Sequence, residues 1–271
     1  MIPAPFEYEL ASSTQHAVEL LGGDEDAKLI AGGQSLIPAM RLRMARPGLL
    51  VDIGRLEELR YVREHGGGLA IGALTRHAAL LRDPLVRERC AVLARATALV
   101  GDPQVRNRGT IGGSLAHGDP ASDQAAVLTA LDAELVAVGP GGERTIAATE
   151  FFGGWFTTAL APDELLTEIR VPATPHGVYL KESRRAHDWA TVGVAATRVG
   201  GRVQIALTNA ASQTVRARAV EEALASGAPP AEAALLAAQD ASPASDATAS
   251  AEYRAHLLRV LTARALEELG A

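Results

Sequence analysis

RNRGTIGGSLAHGDPASD, residues Arg106 to Asp123, decides how the rest of the chain is read. It has no run of apolar side chains long enough for a buried element. It carries instead Gly109, Gly112, Gly113 and Gly118, the small hydroxyl residues Thr110, Ser114 and Ser122, and the carboxylates Asp119 and Asp123. Glycine reaches positive φ without a Cβ clash and lets backbone come close to a ligand. Successive N–H groups in such a turn form an anion-binding nest. Ser122 or Asp123 is placed to cap a helix that begins near Gln124 and runs through AAVLTAL. Alone, the stretch reads equally well as a glycine-rich surface turn.

A second stretch has the same form. Leu29-Ile30 leads into Ala31-Gly32-Gly33-Gln34-Ser35-Leu36: a strand, then Gly-Gly, then a hydroxyl residue. Two such turns suggest two N–H nests closing on one extended anionic ligand, such as a pyrophosphate. A side chain at Gly33 or Gly112 would then fill the space the phosphates need.

The pair AGGQSL and VRNRGTIGGSLAHGDPASD resembles the FAD-binding medium subunit of the molybdenum hydroxylases, the carbon monoxide dehydrogenase and xanthine dehydrogenase family. The resemblance runs from Phe6 to about Leu269. It implies an α+β chain: a two-lobed FAD-binding domain of the vanillyl-alcohol-oxidase-like (PCMH) type over 1–172, with lobes of about 1–55 and 56–172. A small α+β domain over 173–271 would follow, with a three-stranded antiparallel sheet and helices. It implies FAD as cofactor. Leu29, Ile30, Ala31, Gly32, Gly33, Gln34, Ser35 and Leu36 would contact the pyrophosphate, and Thr110, Ile111, Gly112, Gly113 and Ser114 would supply the second nest. Asp123 would accept from a sugar hydroxyl, and Val100, Gly101 and Leu166 would line the ring pocket. Lys181 would lie near the isoalloxazine and Trp189 would stack near or over it, within a K-x-x-R-R-x-x-D-aromatic-A pattern at 181–190. Ser114 stands where the family often has asparagine or aspartate, and Trp189 where tyrosine or isoleucine also occurs. The family's benzoyl-CoA reductase branch carries a cysteine-bearing insertion that this chain lacks. The partners implied are an iron–sulfur small subunit and a molybdopterin large subunit, assembled as a dimer of heterotrimers. Electrons would pass from two [2Fe–2S] centres to this FAD and on to an acceptor.

Bulk properties bound the alternatives. The chain has 271 residues, 48% hydrophobic and only 4% aromatic, so alanine, leucine and valine must build the core. A net charge of −6 argues against nucleic-acid binding, which needs a clustered basic surface. No run of 18 apolar residues and no signal-peptide pattern is present, so a cytoplasmic location without a membrane span is expected. Cys90 is the single cysteine, which leaves no thiolate set for an iron–sulfur cluster or a zinc site. There is no G-x-G-x-x-G, no P-loop and no G-x-S-x-G. No catalytic residue and no metal ligand is expected. The competing functions are a self-sufficient FAD-dependent oxidoreductase and a non-catalytic flavin-binding scaffold.

Patterning predicts helices over Ser13–Leu21, from Pro84 to about Leu99, Gln124–Leu131, Arg216–Ala225, Ala231–Gln239 and Glu252–Leu269. It predicts a hairpin across His65-Gly66-Gly67-Gly68, and strands over Gly177–Lys181, Thr191–Val199 and Arg202–Thr208. Pro172 and Pro175 mark the domain boundary. Phe151-Phe152-Gly153-Gly154-Trp155-Phe156 reads as core. The loop 241–250 is expected to be mobile.

Overall fold

A computed structural model describes all residues, Met1–Ala271. Strand Lys28–Ile30 forms one edge of a three-stranded parallel sheet. Leu49–Asp52 lies at its centre and Glu7–Leu10 at the other edge. Helix Thr14–Gly23 makes the crossover, starting where the Ser13 hydroxyl accepts from the N–H of His16. Its buried face is Ala17, Val18 and Leu21. The Ile53 N–H donates to Ile30 O, after which the chain leaves the sheet. Gly33, at φ 72°, turns it into helix Leu36–Arg41.

A second sheet of five antiparallel strands follows, in the order Val62–His65, Gly68–Gly72, Leu165–Val171, Glu134–Gly139, Gly142–Ala147. The hairpin across the triple glycine lies at its edge, as the sequence predicts. A third antiparallel sheet holds Gly177–Glu182, Val192–Val199 and Arg202–Thr208. It also gains a fourth strand, Val215–Arg216, whose Arg216 the patterning places at the start of a helix. That helix starts at Arg218 instead. The Arg216 guanidinium is drawn to Asp132 and Glu221, at 2.6 and 2.7 Å.

Helix Asp123–Ala130 sits between the second and third sheets, and all eight of its residues are buried. A helix buried on every side has no solvent-facing polar stripe; Ala125, Ala126, Val127, Leu128 and Ala130 are apolar, and its polar residues Asp123, Gln124 and Thr129 are buried with them. The pleat of Val192–Val199 divides the layers. Ala195 joins the core around Asp123–Ala130, while Val192, Val194 and Ala196 face Leu258, Leu261 and Ala265 of helix Ala251–Leu269.

Other expectations need correction. The helix foreseen from Pro84 to Leu99 is two, Pro84–Arg89 and Ala91–Ala98, broken at Cys90 with φ −149°. The Arg89 carbonyl accepts the N–H of Thr174 at 2.7 Å and so leaves the helical ladder. Residues 231–239 form a short helix, Pro230–Ala234, and a 3-10 turn, Leu235–Ala238. Of the aromatic cluster, Phe151 and Phe152 are core, whereas Trp155 and Phe156 are exposed on a tight turn between Phe152–Gly154 and Thr157–Thr158. The 241–250 loop is pinned by buried Arg254, which reaches Asp246 at 2.7 Å and Thr191 O at 2.6 Å. No helix is long and apolar enough to cross a membrane.

Candidate functional site

A cavity of about 680 Å³ opens where the parallel sheet, the second sheet and the third sheet come together. That lies within the range of small-molecule and cofactor sites, about 300–1,000 Å³. The strand end Leu29–Ala31 and the turn Gly32–Leu36 form one wall. None of the five consecutive N–H groups from Gly32 to Leu36 donates to an acceptor within the chain. Meanwhile the carbonyls of Gly33 and Ser35 take the N–H groups of Ile37 and Ala39. Five consecutive N–H groups without partners, on a turn that lines the cavity, supply donors suited to an extended anion.

The second glycine motif is built differently from the expectation. Instead of a loose turn it contains a short helix, Ile111–Ala116, with Thr110 as its N-cap. Its N–H groups are already used. Ile111 donates to Thr75 O at 3.0 Å, Gly112 to Ala73 O at 2.8 Å, Gly113 to the Thr110 hydroxyl and Ser114 to Thr110 O. The segment Ala73–His77 lies alongside the motif and takes the donors of Ile111 and Gly112, while Thr110 takes those of Gly113 and Ser114. Ile111 is fully buried and does not border the cavity; it belongs to the core. Thr110, Gly112, Gly113 and Ser114 do border it. Gly112 is required for packing rather than for ligand space. A Cβ there would lie 2.5 Å from the Ala73 Cβ and 2.7 Å from its carbonyl oxygen, and its φ is not positive. The Ser114 hydroxyl faces the Ser122 hydroxyl at 3.4 Å.

The opposite wall is Val100–Gly101, clamped from both sides. Arg106 donates to both carbonyls at 2.9 and 3.1 Å, and His187 Nδ1 lies 3.1 Å from Gly101 O. Gly101 turns at φ 46°. Leu166, nearly buried on the second sheet, forms the floor with Leu165. Trp189 stands at the rim, 71% exposed, and so presents an open aromatic face.

Asp123 is the first residue of its helix but does not cap it; nor does the Ser122 side chain. Its Oδ1 accepts from the Tyr179 hydroxyl at 2.7 Å and its Oδ2 from Lys181 Nζ at 2.9 Å. Lys181 Nζ also donates to Leu99 O at 3.1 Å. Burial pushes the Asp123 carboxyl upward, against the pull of Lys181. Each carboxylate oxygen retains a second lone pair, so the residue keeps capacity for a further donor at the cavity. Tyr179 is absent from the expected site, because a tyrosine within the strand GVYLKE gives no signal of facing a carboxylate 56 residues earlier. His77, buried at the start of helix His77–Arg82 and bordering the cavity, was missed for the same reason.

The residues present suit a flavin dinucleotide: a donor nest for its diphosphate, a cavity of cofactor size and an aromatic at the rim. Comparison with known proteins agrees. Residues 4–174 match the FAD binding domain in molybdopterin dehydrogenase, and residues 178–269 match the CO dehydrogenase flavoprotein C-terminal domain. This chain is an FAD-binding medium subunit of the molybdenum hydroxylase family. The carbon monoxide dehydrogenase medium chain of Hydrogenophaga pseudoflava is 44% identical to this medium subunit, over 98% of this chain and 97% of that one. Subunit alpha of the 6-hydroxypseudooxynicotine dehydrogenase complex of Paenarthrobacter nicotinovorans is 41% identical, over 98% and 95%. A solved structure of the Hydrogenophaga pseudoflava carbon monoxide dehydrogenase, in a form lacking the Mo-pyranopterin moiety, superposes with a TM-score of 0.96 at 44% identity. It covers 100% of this chain and 99% of that one. FAD is therefore the cofactor, and the subunit is part of an oxidoreductase.

Proposed function

We propose that this medium subunit passes electrons from [2Fe–2S] centres of a small partner chain through FAD to an external acceptor, while a large molybdopterin partner hydroxylates the substrate. The observation that carries it is the run of five unpartnered N–H groups, Gly32 to Leu36, on a cavity bordered by all three sheets. Bound FAD supplies the redox chemistry, accepting electrons in pairs or singly. The chain's own residues bind and orient it. The Gly32–Leu36 turn holds the diphosphate; Asp123 takes a sugar hydroxyl on its remaining lone pairs. Val100, Gly101 and Leu166 enclose the ring, with Lys181 and Trp189 at its edge. Only one cysteine is present, so an iron–sulfur relay belongs to another chain. We further propose that the chain divides near 172/173, that the assembly is a dimer of heterotrimers, and that the compartment is the cytoplasm.

The test starts with protein reconstituted with FAD and desalted. About one retained flavin per chain is expected, and no retained flavin band would end the proposal. The loaded subunit is then mixed anaerobically with purines, aldehydes, nicotinates and carbon monoxide. The flavin band should stay unbleached until the two partner chains are added. Bleaching by the subunit alone would make it an independent oxidoreductase.

A further inference from the structure

A chain of buried hydrogen bonds runs from the core to the cavity beside the glycine motifs. The Thr97 hydroxyl donates to Leu93 O at 2.7 Å. Thr97 Oγ1 in turn accepts from the nitrogen of the Gln124 amide, 2.8 Å away. The same amide nitrogen has a second proton, directed at His77 Nδ1 at 3.3 Å. Nδ1 is thereby an acceptor, and the imidazole carries its one proton on Nε2. Gln124 Oε1 is left without a partner in this arrangement, a cost the core tolerates.

His77 Nε2 has no acceptor within the chain, although His77 is only 3% exposed and borders the cavity. Its position is set by Gly109. A Cβ on Gly109 would lie 3.0 Å from Nε2, and the Gly109 backbone in turn touches Gly32, the first residue of the donor nest. The backbone N–H of His77 donates to Gly109 O at 3.1 Å, which locks the start of its helix against the motif. Burial, with the Arg106 cation nearby, lowers the imidazole to about 4, so it is uncharged at neutral pH. We propose that His77 donates its Nε2–H to the diphosphate of the bound dinucleotide, its proton held toward the cavity by Gln124 and Thr97. The proposal rests on FAD occupying this cavity.

The proposal adds a side-chain donor to a site whose other diphosphate donors are backbone. Neutral donation also leaves the site without a charge to compensate when the ligand departs.

Long-range ¹H–¹⁵N spectra of histidine-labelled full chain test it. At neutral pH, His77 is expected as the Nε2–H tautomer, and its Nε2 resonance should move on adding FAD. His77→Phe and His77→Gln should raise the FAD Kd about tenfold, the scale of one hydrogen bond to a charged acceptor. The ³¹P diphosphate signals of bound FAD should move between wild type and variant. Circular dichroism monitors folding of both variants, and the tautomer is read from wild type whether or not they fold. An Nδ1–H tautomer, an Nε2 resonance indifferent to FAD, or unchanged ³¹P signals would each overturn the proposal while FAD binding itself stands. Failure of wild type to retain FAD would overturn both.

Discussion

Gly32 and Gly109 meet backbone to backbone. A Cβ on Gly32 would lie 2.7 Å from the Gly109 Cα and 2.5 Å from Arg108 O. The two glycine motifs are therefore parts of one packed unit rather than two separate clasps. Gly32→Ala has only backbone to push against and should cost about 1–3 kcal/mol, the scale of overpacking. It should also displace the donor nest and weaken FAD. Gly33→Ala differs, because the atom in its way is the flexible tip of Ile37 and the main cost is positive φ, about 1–2 kcal/mol. Gly112→Ala presses on the Ala73 backbone and should lower stability with FAD weakened only as a consequence. Urea midpoints and FAD retention, measured together on the three variants, check the order. A Gly112→Ala protein of wild-type stability would contradict the packing role.

The Asp123–Lys181 pair is buried on both sides, each side chain about 5–6% exposed. Lys181→Met strands a carboxylate in the interior, held only by Tyr179, and should cost about 3–5 kcal/mol. Asp123→Asn with Lys181→Met removes both charges and should be less destabilising than Lys181→Met alone. A double-mutant cycle in urea measures the coupling. Additive costs would mean the pair contributes nothing as a unit.

Acid should loosen the fold through His77. Its folded-state value is about 4 against an ordinary 6.5, because burial and Arg106 disfavour the imidazolium. The unfolded chain therefore binds the proton more readily, and stability falls as pH drops from about 6.5 toward about 4. The full effect is about 3 kcal/mol. Stability measured across this window should slope less steeply in His77→Gln than in wild type. Parallel slopes would place the acid sensitivity elsewhere.

Cys90 is fully buried at the break between two helices, and burial pushes its thiol up to about 12. A disulfide reagent at neutral pH should leave the folded protein unlabelled and label it once per chain in denaturant. Rapid labelling of the folded form would show that the helix break opens.

Local pattern determined much of this protein. The strand-to-Gly-Gly turn at Lys28–Leu36, the hairpin across Gly66–Gly67, the long C-terminal helix and the strands of the third sheet each follow from short-range rules: period, glycine conformation, and the turn chemistry between them. The paired glycine motifs also pointed to the family and to FAD. Tertiary structure decided what those motifs do. The donors of Ile111 and Gly112 are spent on Thr75 and Ala73, which only the docking of residues 73–77 beside the motif reveals. Asp123 looks like a helix cap in sequence, yet it pairs with Tyr179 and Lys181, more than fifty residues away, because its helix is enclosed between two sheets. The His77 proton is placed by Gln124 and Thr97, residues that no spacing rule connects. Hydrogen-bond donors are consumed by whichever acceptor the fold brings near. A sequence lists the donors, but only the packed chain assigns their partners.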